Sequence, residues 1–321
     1  MGRRHVSRAA LVAGALLAAV ACAPVAGPGT APPPPARPVV PPAPPPVPPP
    51  DERSQASRDL ELYYARLQQS LLDQGLLRRD RGGVDAPFDS RRLTESFVEI
   101  ALFDEYRRDG AVLRAERTES RLRRWEQPVR MQVAFGDSVP PERRVTETGR
   151  VAAYGAQLSS ATGLEITLTE RTPNFHVLFL GEDDRAAFVP EFRRIVPGIS
   201  DAAVRAFRDM PRETLCLVFA FSRGESFAYT KAVAVIRAEH PDLLTLSCIH
   251  EELAQGLGLA NDSPAARPSI FNDDEEFALL TRHDELLLEM LYDPRLRPGM
   301  TAAEAGPIAR QIAGELLGGE S

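Results

Sequence analysis

Residues 248–262 read CIHEELAQGLGLAND. At 100° per residue, Leu246, Ile249, Leu253, Gly256 and Leu257 form one stripe of a helix, and Glu251, Glu252 and Gln255 gather on the other side. The periodicity predicts a helix from about Leu244 to Leu259 with the apolar stripe buried. Its His-Glu pair invites comparison with H-E-x-x-H, where two imidazoles one turn apart hold zinc and the glutamate takes a proton from bound water. That register puts Ala254 where the second imidazole must be. His250 also stands roughly 140° round the helix from Gln255, so it cannot share a metal with that face.

The segments before the helix alternate between sheet and helix patterns. VRMQVAF, LEITLTER, NFHVLFLG, TLCLVFAFS and KAVAVIRA read as strands, the last two joined by a hairpin-like turn. A helix begins at Pro140-Pro141 and ends at Gly163, and a helical stretch from about Asp183 to Phe207 breaks at Pro197-Gly198. Further upstream, Leu60, Tyr63, Tyr64, Leu67, Leu71 and Leu72 recur at helical spacing. A second helix carries Leu93, Phe97, Ile100 and Ala101 on one face and is expected to run towards Gly110. Residues 51–120 therefore read as a helical segment, either a hairpin of helices packed on the main domain or a small domain of its own. NDDEE at 272–276 reads as a helix N-terminus, with calcium binding as the alternative although the EF-hand glycine is absent.

The N-terminus carries an export signal: basic MGRRHVSR, apolar AALVAGALLAAVA, then Cys22 after small residues. It resembles a bacterial lipoprotein signal, which implies cleavage after residue 21 and lipidation of Cys22, with Ala19 departing from the usual leucine. An ordinary signal peptide cut near Ala21 or Ala23 is the alternative. Between Pro32 and Pro50, 13 of 19 residues are proline, too many for a packed core. At about 3.1 Å per residue such a segment spans roughly 60 Å as a stiff spacer. The expected location is the periplasmic side of the outer membrane, held there through Cys22. With 38 basic against 45 acidic residues and a net charge of -7, nothing favours a nucleic-acid partner. Lys231 is the only lysine. If Cys22 is lipidated, Cys216 and Cys248 are an even pair in an oxidising compartment, and a disulfide between them would pin the motif helix to a strand; two buried thiols are the alternative.

Shifted by one residue, EELAQGLGLAN overlays the metzincin-like pattern H-E-x-x-H-x-L-G-L-x-H. Glu251, Gln255 and Asn261 then stand at the three zinc-ligand positions, Glu252 at the general base and Gly258 at the turn glycine. The stretch from His250 through SIFNDDEEFALLTRHDELLLEMLYDPRLRPGMTAAEA is similar to the bacterial lipoprotein family whose domain of unknown function is numbered 2927, over about residues 120–305. SIFN lies where metzincins have their methionine turn, with Phe271 in place of the methionine. The order of strand and helix patterns predicts an α+β fold, and the resemblance implies a zincin-like mixed sheet with an active-site-type helix, preceded by the helical N-terminal segment. The implied organisation is a signal over 1–21, anchor and linker over 22–50, helices over 51–120, the zincin-like domain over 121–305 and a C-terminal helical tail over 306–321.

One carboxylate and two amides are a poor zinc set, and an all-oxygen set is closer to calcium or magnesium preferences. Asp262, Asp273 and Asp274 add nearby charge. Without a metal, Glu252 faces water of pKa near 15.7 and cannot usefully deprotonate it. The expected function is non-catalytic binding of an envelope protein or polymer, with no cofactor. The alternative is a metal-dependent peptidase or other envelope hydrolase with atypical ligands, using zinc or calcium and Glu252 as general base. A plain solvated helix face accounts equally for Glu251 and Glu252. His250 is expected at the edge of that face, and His176 and His283 reach the site only if the fold brings them there.

Overall fold

The computed structural model describes residues 53–109, 112–224, 226–272 and 274–318, with the backbone alone for 105–109 and 112–117. The expected export signal, Cys22 and the proline-rich segment lie outside the described residues, as does Asp273. α1 (Gln55–Asp73) starts at Ser54, whose hydroxyl accepts a hydrogen bond from the Ser57 amide at 3.1 Å. α2 (Ser90–Leu102) starts at Asp89, whose carboxylate accepts from the Arg92 amide at 2.7 Å.

The expected run of helix towards Gly110 is corrected by the structure. After Leu102 the chain becomes extended, and β1 (Phe103–Asp109) pairs antiparallel with β2 (Val112–Glu119). The positions that would continue the apolar stripe are Asp104, Arg107 and Arg108, so a longer helix would bury nothing more. Gly110, read as a helix stop, is equally a hairpin signal after an aspartate.

A six-stranded mixed sheet follows. Its members are β3 (Arg124–Trp125), β4 (Val129–Phe135), β5 (Ile166–Leu168), β6 (Phe175–Leu180), β7 (Cys216–Ser222) and β8 (Ala228–Arg237). Neighbours run β5-β4-β6-β8-β3, all parallel, and β7 pairs antiparallel with β8. α3 (Pro141–Thr162) links β4 to β5 and ends at Gly163 in the left-handed conformation (φ 70°). α4 (Glu182–Ile195) and α5 (Asp201–Arg208) link β6 to β7, and α6 (Asp242–Gln255) leaves β8. α7 (Arg282–Leu291) and α8 (Ala302–Leu316) close the chain. Helices with a mixed sheet make the fold α+β.

Side-chain alternation splits the core between the two faces of the sheet. Val177, Phe179, Ala234 and Ile236 join Trp125, Leu253 and Phe271 in the main core. Leu178, Leu180, Val233 and Val235 meet Phe192 and Phe207 of α4 and α5. Residues 51–321 form one compact unit. α2 packs on α8, and the boundary expected at 305/306 falls inside α8. NDDEE forms no helix among its described residues: Glu275 takes a left-handed φ of 57°, and Arg78 bridges to Phe277.

Candidate functional site

α6 carries the motif, and its ends are fixed by contacts remote in sequence. At the start, Gln68 of α1 accepts hydrogen bonds from the Leu243 and Leu244 amides, each at 3.1 Å, which caps a helix that Pro241 leaves without a side-chain cap. The helix stops at Gln255 rather than Leu259. Trp125 Nε1 donates to the Gly256 carbonyl at 2.9 Å, and a Cβ on Gly256 would lie 2.5 Å from the Phe175 ring. Gly258 then turns the chain at φ 128°.

Cys216 and Cys248 form a disulfide with their Cα atoms 5.8 Å apart, so α6 is tied to β7 as the two-cysteine count allowed. Beside the bridge lies a cleft of about 370 Å³. Its walls include Cys216, Val218 and Ala220 of β7 and Glu251, Glu252 and Gln255 of α6. The solvated-face account fails for Glu252, which is only 4% exposed. Gln255 donates to Asp262 at 3.1 Å on the cleft wall. Asn261 is turned away: its amide donates to the Glu99 carbonyl at 3.0 Å, at the end of α2. The chain after Gly258 therefore offers the cleft Asp262 in place of Asn261.

Six carboxylates and one guanidinium line the cleft. Asp104 and Arg123 pair with each other, and Arg123 also faces Tyr229, whose phenol burial holds above its ordinary pKa. Asp104, Arg123 and Glu213 were not legible as site residues, since each comes from a loop or hairpin that no local pattern links to α6. Asp274 lies outside the cleft lining and accepts from the Glu276 amide at 2.9 Å.

Cys216, Glu251 and Glu252 bring one potential ligand atom each within 4.8 Å of one another. Cys216 is spent in the disulfide and offers no thiolate, and no imidazole lines the cleft among the described residues. This donor set does not fit catalytic zinc, which takes three nitrogen, sulfur or carboxylate ligands and keeps one open position. Adjacent carboxylates suit a hard cation better.

The histidines serve elsewhere. His250 stacks on Tyr154 with ring centroids 3.9 Å apart, and its Nδ1 accepts from the Leu280 amide at 3.0 Å. Burial pulls its pKa down to about 4, which keeps the ring neutral as that acceptor. His283 is fully buried beside Phe88, and His176 faces away from α6. The SIFN segment is held by buried Asp284 at the start of α7, which accepts from Ser269 Oγ at 2.5 Å, Ile270 N at 3.1 Å and Thr281 Oγ1 at 2.8 Å.

A protein family described as "Protein of unknown function (DUF2927)" matches residues 90–311. The match opens at the first residue of α2 and closes within α8, the two helices that pack together. No curated protein matches the chain.

Proposed function

The chain belongs to the DUF2927 family, whose description carries no activity, and from the site we propose a zincin-like binding domain that holds an extended basic polypeptide without cleaving it. The observation that carries this reading is the pairing of a strand edge with an acidic wall. Among the described residues β7 ladders only with β8, so its other edge has main-chain groups for an added strand, and α6 faces it with Glu251 and Glu252. An added strand recognises polypeptide rather than glycan, which selects a protein among envelope partners. Six carboxylates against one arginine favour a cationic sequence. The mixed sheet ahead of α6 and the turn at Gly258 support the zincin likeness. Lipidation at Cys22 and the proline spacer would hold this domain near the periplasmic face of the outer membrane, within reach of envelope proteins.

A basic peptide of alternating arginines, titrated by fluorescence anisotropy, is expected to bind at low salt and weaken steeply as salt rises. Replacing both Glu251 and Glu252 with glutamine should weaken binding about tenfold or more, and N-methylating alternate amides of the peptide should abolish it. Equal binding of the N-methylated peptide would remove strand addition from the proposal.

The second reading is a metal-dependent hydrolase with Glu252 as general base, and it draws on the closeness of Glu251 and Glu252. Its mark would be one equivalent of zinc or calcium in protein purified without added metal, together with peptide cleavage lost in Glu252→Gln. That pair of results would overturn the binding-only reading.

A further inference from the structure

A second cavity, of about 390 Å³, lies on the face of the sheet opposite α6. His176 stands between Phe175 and Val177, which both enter the main core, so strand alternation turns its ring to the α4 side. Gln132 of β4, Glu170 and Thr172 of the β5–β6 connection, Arg194 of α4 and Lys231 of β8 line the same cavity.

Two of these groups have no partner among the described residues, the buried His176 and the half-buried Lys231. His176 is 5% exposed, and neither ring nitrogen has a hydrogen-bond partner among the described residues. Lys231, the single lysine of the chain, forms no ion pair among them. The Gln132 amide donates to Glu170 at 2.6 Å, and Arg194 forms a bidentate ion pair with Glu191, through Nε at 2.7 Å and through a terminal nitrogen.

At His176 the positive neighbours outweigh the negative one, with the Glu170 carboxylate elsewhere in the lining. Burial pulls the His176 pKa down to about 4, helped by Lys231 and then Arg194, while Glu191 opposes as the smallest influence. The Lys231 ammonium is itself pushed down by burial and by Arg194. The Lys231 ammonium, which has no ion-pair partner among the described residues, and Arg194, which is shared with Glu191, stabilise an anion placed beside the neutral imidazole. The neutral ring needs an acceptor for its N–H and a donor for its other nitrogen. A carboxylate only accepts, whereas a phosphate group near its second pKa of about 6 carries accepting oxygens and a P–OH in one unit.

We propose that this cavity is a phosphate site, taking inorganic phosphate or a lipid phosphomonoester, with Lys231 and Arg194 as counter-charges and His176 as hydrogen-bond partner. The site is separate from the cleft beside α6, so it stands or falls independently of the binding reading.

The single lysine makes a direct test. The full-length chain is acylated with a succinimidyl ester and the rate at Lys231 is read by peptide mapping, which separates it from the N-terminal amine. Inorganic phosphate is expected to slow acylation about tenfold at saturation, against chloride at equal ionic strength. Phosphatidic acid vesicles, compared with phosphatidylcholine alone, form the second arm. Protection by phosphate assigns the free ion, and protection by the vesicles only assigns the headgroup. Arg194→Gln alters an exposed side chain and should weaken the protection without unfolding the protein, as thermal melting checks. Unchanged acylation in both arms, or full protection in Arg194→Gln, overturns the proposal.

Discussion

Gly258 sets the direction in which the chain leaves α6. At φ 128°, a Cβ there would lie 2.2 Å from the Arg123 carbonyl oxygen and 3.0 Å from Leu291 Cδ2. The near atom is backbone, which cannot swing aside. Gly258→Ala should therefore cost about 2 to 4 kcal/mol, from backbone strain plus steric overlap. Gly149 is the control, since it sits inside α3 and a Cβ there meets nothing within 4 Å. Gly149→Ala should stabilise by roughly 0.5 to 1 kcal/mol through helix propensity. Urea unfolding of both variants checks the opposite signs; similar small losses would mean that Gly258 is not under constraint. The turn at Gly258 was legible because a helix stripe ends there with a glycine. The role of His250 was not, because the amide it accepts from belongs to Leu280, thirty residues further on.

Between elements, the tie that matters to the cleft is the one from β7 to α6. Cys216 and Cys248 are 32 residues apart in sequence, and closing that loop limits the unfolded chain. The chain-entropy argument gives about 3 to 4 kcal/mol at that separation. Replacing both cysteines with alanine should lower stability by about that amount and loosen the cleft wall, read as faster amide exchange along β7. Unchanged exchange in β7 would show that β8 alone holds the strand. This pairing could be read from the sequence because only two cysteines remained after Cys22. The β1–β2 hairpin could not, since Gly110 fits a helix end and a strand turn equally well and only packing decides. Asn261 failed for a related reason: register on a helix stops informing once the helix has ended, and the Glu99 carbonyl captured its amide. Asp262, one residue on, meets Gln255 instead.

Across the whole molecule, three imidazoles on separate elements are kept neutral by burial. His176 in β6 and His250 in α6 are each held to about 4, and His240 after β8 to about 3. Arg237 and Arg143 add to the burial at His240, Lys231 and Arg194 add to it at His176, and Asp284 opposes it at His250. An unfolded histidine titrates near 6.5. Between about pH 6.5 and 4 the unfolded chain therefore takes up about three protons that the folded chain refuses. Stability is fully present above pH 6.5 and falls as the pH drops, with a slope of up to about 4 kcal/mol per pH unit for three such groups. Carboxylates held low by arginines, such as Asp80 and Glu276, act with the same sign but below about pH 4.5, so they do not obscure this window. Urea unfolding at pH 7.5, 6.5, 5.5 and 5.0 in phosphate-free buffer measures the slope, and His250→Gln should reduce it by about one proton's worth. A flat stability between pH 7.5 and 5.0 would mean that the rings are hydrated in the folded state. His240 meets Tyr64 of α1 edge-on at 4.4 Å and His250 accepts from the Leu280 amide just before α7, so two of the three rings sit where α1 and the segment before α7 pack on the rest of the fold.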